Sequence, residues 1–160
     1  DSIIFGALAN FKGLPHRQEI NFSDKKITFV NDSKATSFDA CFQALKSFNN
    51  IYWIVGGQPK HKDNFYLNTV LNKIKKTYII GKNIPYYKNK IKNILPYLIC
   101  KKLDIALKNI FKDIKINHDK NCTVLLSPAG ASFDQFIDFE DRGNCFKNLI
   151  EKNIYKLKNV

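Results

Sequence analysis

The sequence predicts an α/β fold with a mostly parallel sheet, and three apolar runs that each break into a loop of small and polar residues carry that prediction. Cys122 to Leu126 reads as a buried strand and runs into Ser127-Pro128-Ala129-Gly130-Ala131-Ser132, a turn with almost no side-chain bulk. Ile27 to Val30 gives way to Asn31-Asp32-Ser33-Lys34-Ala35-Thr36, and Ile51 to Val55 gives way to Gly56-Gly57-Gln58-Pro59-Lys60. Strands that alternate with helical patterns usually lie parallel, so the three loops should converge along one carboxyl edge.

The elements follow in order. Gln18 to Phe22 and Ile27 to Val30 alternate around Ser23-Asp24-Lys25-Lys26, which reads as an N-terminal hairpin. Ala40, Cys41, Ala44, Leu45 and Phe48 then keep helical spacing. Asp32, Ser33 and Thr36 are capping residue types, and one of them is expected to cap that helix. After the strand Ile51 to Val55, apolar residues from Phe65 to Ile74 again fall at helical spacing, and Thr77 to Gly81 reads as a strand. The stretch Asn83 to Cys100, with Pro85 and Pro96, yields no clear element. Leu103 to Ile114 predicts an amphipathic helix with Leu103, Ala106, Leu107, Ile110 and Ile114 on one side. A last helix runs from about Phe139 to Lys156, with Phe139, Phe146, Leu149 and Ile150 facing inward.

A chain of 160 residues is one ordinary domain's worth. No apolar run approaches a membrane span, and Asp1-Ser2-Ile3-Ile4 has no signal-peptide character, so no membrane partner is expected. The absence of any methionine, including an initiator, predicts a piece of a longer chain. The formal charge of +12 raises the possibility of a nucleic-acid partner. Arg17 and Arg142 are the only arginines, which leaves 26 − 2 = 24 lysines. Sequence-reading nucleic-acid surfaces lean on arginine for bidentate contacts, and the lysines here, such as Lys73 to Lys76 and Lys101-Lys102, spread over expected helix faces. A solvated face is therefore favoured and no nucleic-acid partner is expected. A basic nucleic-acid-binding or interaction module stays as the alternative of another class, and a free-standing domain that senses a small anion as a third. Cys41, Cys100, Cys122 and Cys145 form no C-x-x-C pair and read as reduced, mostly buried residues, which points to the cytoplasm and away from a metal site.

The loops themselves carry chemistry. Lys34, Thr36, Lys60 and Ser132 would bring two ammonium groups and two hydroxyls to one edge, and backbone N–H groups near the start of the last helix would add donors. Such a crevice suits a small ligand bearing carboxylates or phosphates. No G-x-x-x-x-G-K-[ST] phosphate loop occurs.

Leu14-Pro15-His16-Arg17, then Asn31 to Thr36, then Gly56-Gly57 followed by Lys60, then Ser127 to Gly143 resemble, in order and spacing, the successive signatures of the C-terminal domain of the Mur ligase family, in its D-glutamate-adding branch. The resemblance runs from about Gly13 to the end, and the Asp-Asn-Pro-Arg signature of the diaminopimelate-adding members is absent. It implies a Rossmann-like three-layer domain with a mostly parallel sheet and an N-terminal β-hairpin over residues 14–160. Residues 1–13 would be the tail of the central, ATPase domain. It further implies a monomeric, cytoplasmic ligase of peptidoglycan-precursor synthesis in which ATP phosphorylates UDP-N-acetylmuramoyl-L-alanine and the amine of D-glutamate attacks the acyl phosphate. Mg2+ ligands would lie in the central domain, and the present chain alone would be inactive. Carried over residue by residue, His16 and Lys34 stand at the reaction centre, and Arg17 and Asp32 contact the nucleotide. Thr36, Lys60, Ser132 and the backbone around Phe133 and Phe139 hold D-glutamate. Gln58-Pro59 departs from the family's commoner Asp-Gly, and Pro59 lacks an N–H donor.

Overall fold

The computed structural model describes residues 13–158, so the segment expected to be the tail of another domain lies, but for Gly13, outside the described residues. The hairpin strands are β1 (Glu19–Ser23) and β2 (Ile27–Asn31), followed by helix α1 (Phe38–Ser47) and strand β3 (Ile51–Gly56). Strand β4 (Ile74–Ile80), helix α2 (Ile84–Ile91), strand β5 (Tyr97–Lys101) and helix α3 (Leu103–Asn117) come next. Strand β6 (Cys122–Leu126) and helix α4 (Phe139–Lys158) close the chain.

The strands form one sheet in the order β1-β2-β6-β3-β4-β5. Only β1 runs antiparallel, against β2, and the other pairings are parallel. The period of two along each buried strand makes the three layers. Val30, Trp53, Val55 and Leu125 face α1 and α2, where they meet Phe38, Leu45 and Tyr87. Their neighbours Phe29, Tyr52, Ile54, Val124 and Leu126 face the other way, against Leu107, Ile110 and Phe146 of α3 and α4. Both faces of β3 and β6 are covered, which is why these strands read as apolar runs, broken only by Thr123 in β6.

The topology places the site. Strand β6 enters last and lies between β2 and β3, so the loop that follows it is flanked by the loops that follow the other two. Three parallel strands thus deliver their carboxyl ends side by side, as at the ligand crevice of open α/β sheets.

Several sequence expectations are corrected. Phe65 to Ile74 is not an α-helix: a single 3-10 stretch spans Asn68–Lys73, and Ile74 already begins β4. Lys75 and Lys76 therefore sit on a strand rather than a helix face, and they pair with Asp119 and Asp113 on and after α3. Asn83 to Cys100 holds both α2 and β5, because Pro85 stands in the first turn of α2, where a missing N–H costs nothing. The cap of α1 is Ser37, whose hydroxyl accepts from Ala40 N at 3.2 Å, and not Asp32, Ser33 or Thr36. Phe139 is half-buried at the start of α4, where Phe146 and Ile150 are fully buried.

Candidate functional site

Backbone hydrogen bonds sew the three loops together. Asp32 N donates to Leu126 O at 2.8 Å, Ala129 N to Ala35 O at 3.0 Å, and Gly56 N to Pro128 O at 2.8 Å. Gln58 and Ala131 exchange both of their bonds, at 2.7 and 2.8 Å. Pro59 thus lacks a donor at a position where its neighbour already makes the bridge. Gly56 and Gly57 permit the close approach, with φ of 141° and 130°. A Cβ at Gly56 would strike the Ile80 carbonyl, and one at Gly57 the Ala131 carbonyl, so no other residue fits the exit from β3.

The expected site residues fall into two groups. On the β2 side, the Lys34 ammonium lies 3.8 Å from the centroid of the Phe139 ring, and the His16 ring meets that ring edge-on at 6.1 Å. The main-chain carbonyl of His16 accepts Lys34 N at 3.0 Å, which fixes the connector against the loop. Asp32 is buried, accepts Ser127 Oγ at 2.7 Å and Gln18 N at 3.2 Å, and feels the charge of exposed Arg17. Burial outweighs these stabilising contacts and raises its carboxyl to about 6. On the β3 side, exposed Lys60 lines a cavity of about 270 Å³ with Ser37, Asp39, Asp63 and Tyr66. Thr36 and Ser132 do not line that cavity. Thr36 is half-buried beside it in sequence, Ser132 is buried one residue past the Gln58–Ala131 bridge, and Phe133 is 69% exposed.

The glycine turn differs from expectation. Residues 127–138 separate β6 from α4, so the small-residue turn does not open directly into a helix N-terminus. Instead Ser132 O accepts from Gln135 N at 3.0 Å and Phe136 N at 2.9 Å in a turn of its own.

Four supporting residues escape a reading of the sequence by site residue types. Arg142 is 1% exposed and has no carboxylate partner among the described residues. It donates Nε to Ser33 Oγ at 3.0 Å, Nη2 to Ser33 O at 2.8 Å and Nη1 to Gly130 O at 2.9 Å. Burial lowers its pKa to about 10, which leaves it charged at neutral pH. Asn31 is fully buried, and its Oδ1 accepts Ser33 N at 3.2 Å, which sets the orientation of the amide. Its Nδ2 then donates to Gly143 O and to His16 Nδ1, both at 3.1 Å, so the neutral imidazole carries its proton on Nε2. Gly143 has to be glycine because a Cβ there would run into the His16 ring. Ser127, through Asp32, completes the set. All four lie within the signature segments Asn31 to Thr36 and Ser127 to Gly143, and Arg142 stands out further as one of two arginines among 24 lysines.

Comparison with known proteins follows the same lines. No family model matches the chain. A UDP-N-acetylmuramoylalanine–D-glutamate ligase of Rhodospirillum rubrum is 39% identical over 148 residues, 92% of this chain and 31% of that protein. The ligases of the same name from Rickettsia prowazekii and from the Wolbachia of Brugia malayi are 36% and 38% identical, over 94% of this chain and 34% and 30% of theirs. In each the match falls on the C-terminal portion. This chain is a C-terminal domain of the Mur ligase family. It spans about a third of the length of the curated relatives it matches. Solved structures agree on the fold of this Mur ligase domain. A Haemophilus ducreyi domain bearing the name of a UDP-N-acetylmuramate:L-alanyl-gamma-D-glutamyl-diaminopimelate ligase aligns with TM-score 0.50 at 17% identity, covering 88% of this chain and 99% of that one. The bifunctional folylpolyglutamate synthase/dihydrofolate synthase of Yersinia pestis aligns with TM-score 0.54 at 11% identity, covering 86% of this chain and 31% of that one. Among the described residues no helix is long and apolar enough to cross a membrane, and no three His, Cys, Asp or Glu side chains cluster as a metal site.

Proposed function

We propose that this chain is the D-glutamate-binding domain of an ATP-dependent ligase that joins D-glutamate to UDP-N-acetylmuramoyl-L-alanine through an acyl phosphate, in the cytoplasmic synthesis of peptidoglycan precursors. The names of the relatives support the reaction class, and the sewn loops support the assignment of this domain to the amino-acid acceptor. The observation that carries it is a pair of lysines, Lys34 and Lys60, exposed on two loops of one sheet edge with no carboxylate at ion-pair distance among the described residues.

ATP supplies the phosphoryl group that activates the carboxylate. The acceptor has to present a free, neutral amine, so its two carboxylates need fixed cations and donors that leave the nitrogen alone. In this reading Lys60, Thr36, Ser132 and the backbone near Phe133 and Phe139 hold those carboxylates. Lys34 and His16 stand beside the reacting carbonyl, where a fixed positive charge lowers the cost of the oxyanion. Asp32, ionised above about pH 6, accepts a ribose hydroxyl, and exposed Arg17 reaches the nucleotide. Orientation of this kind accounts for several kcal/mol of barrier when the approach is near-attack. Magnesium is assigned to the remainder of the ligase, and no step on this chain depends on holding it.

The test is ADP release by the complete ligase that contains this chain. The reading predicts release that requires both UDP-N-acetylmuramoyl-L-alanine and D-glutamate, and none from the 160-residue chain by itself. Release indifferent to D-glutamate, or turnover by the chain alone, would contradict it.

A further inference from the structure

Lys34 has four rotatable bonds and stands exposed past the carboxyl end of β2, yet its ammonium rests over an aromatic ring. It lies 3.8 Å from the centroid of the Phe139 ring, inside the range where a cation is drawn to the negative face of an aromatic ring. The ring is itself held. His16 packs on its edge at 6.1 Å and 77°, and Ser33 Oγ donates to the Phe139 carbonyl at 2.8 Å while taking a hydrogen bond from Arg142 Nε.

Two roles are already assigned to Phe139: an inward-facing helix residue and a backbone donor to the amino acid. Neither uses the face of the ring. An aromatic face is suited to a third role, because it attracts the ammonium without neutralising it. A carboxylate in the same place would quench the charge that the site needs. With the ring on one side, the N–H donors on the other side of the nitrogen stay available to an anionic ligand.

We propose that Phe139 is the positioning residue for Lys34, its ring holding the ammonium at the site edge so that the charge is in place before the acyl phosphate and the amine meet. The proposal rests on the ligase reading above, in which Lys34 stands beside the reaction centre. Holding a long side chain in one rotamer removes an entropic cost from the reacting complex, so the effect falls on kcat and not on the binding of the amino acid.

The test combines a spectroscopic and a kinetic arm. In the 160-residue chain, the Lys34 ε-methylene protons should show an upfield ring-current shift that disappears in Phe139→Leu and persists in Phe139→Tyr. In the complete ligase, F139L should lower kcat by about two- to fivefold, the range of an exposed cation–π contact, with the KM for D-glutamate nearly unchanged and F139Y recovering the loss. In a Lys34→Met background F139L should have no further effect on kcat, since the residue it positions is gone. Unshifted ε-methylene protons in the wild-type chain, or an equal loss from F139L with and without Lys34, would overturn the proposal. A wild-type ligase that ignores D-glutamate would bring down the ligase reading, and the proposal with it.

Discussion

Arg142 donates to both the side chain and the main chain of Ser33, Nε to Oγ at 3.0 Å and Nη2 to the carbonyl at 2.8 Å. With its third bond, to Gly130 O, one guanidinium joins the loop after β2 to the loop after β6 from the first turn of α4. A planar fork with five donors can satisfy three neutral oxygens that diverge in this way, and an ammonium cannot.

Replacing Arg142 by Met should destabilise the domain, because Ser33 O and Gly130 O lose buried donors. An orphaned buried acceptor costs about 1–3 kcal/mol, partly offset by the guanidinium that no longer has to be desolvated. The urea midpoint of R142M should fall accordingly, and Arg142→Lys should recover little of it. A lysine variant with the wild-type midpoint would show that charge alone matters here.

Stability should decline between about pH 4 and 6 because of Asp32. Its carboxyl is raised from 3.8 to about 6 by burial, so the folded state binds the proton more tightly than the unfolded state. The contribution is therefore complete below the unfolded pKa and is lost as pH rises through the folded one, amounting to about 3 kcal/mol at 1.36 kcal/mol per unit. Asp32→Asn, whose Oδ1 can still accept Gln18 N while its Nδ2 donates to Ser127 Oγ where the carboxylate accepted from it, should flatten this part of the profile. A carboxyl carbon of Asp32 that titrates near 4 by NMR would refute the expectation.

Thr77 is fully buried in β4 and its hydroxyl has no hydrogen-bond partner. Thr77→Val replaces that oxygen by a methyl of the same shape on a strand that favours β-branched residues. The variant should gain about 1 kcal/mol in unfolding free energy, at the low end of the cost of an unsatisfied buried group. Lower stability in T77V would mean that the hydroxyl has a partner after all.

What the sequence made legible follows from how local each signal was. Cys122 to Leu126 was readable to the residue because a strand buried on both faces is apolar but for the β-branched Thr123. The start of β4 was hidden because Ile74-Lys75-Lys76 looks like a charged helix end, and the carboxylates that receive those lysines lie far along the chain, at Asp119 and Asp113. The cap of α1 was misassigned for a similar reason. Asp32 and Ser33 have their side chains engaged with Ser127 and Phe139, which leaves Ser37 for the helix. The convergence of the three loops was legible from alternation alone. The Gln58–Ala131 bridge and the Lys34–Phe139 contact were not, since both join residues brought together only by the insertion of β6 between β2 and β3.

The central claim is that Lys60 grips a carboxylate of the amino-acid acceptor, and the measurement closest to it is the KM for D-glutamate of the Lys60→Ala variant in the complete ligase. Loss of one charge-assisted hydrogen bond is worth roughly 1.5–3 kcal/mol, so the apparent affinity for D-glutamate should fall about ten- to a hundredfold while that for ATP stays in place. Arg17→Ala should show the opposite pattern, weakening ATP more than D-glutamate. A K60A ligase with unchanged KM for D-glutamate and intact kcat would make Lys60 an ordinary loop lysine and contradict the account.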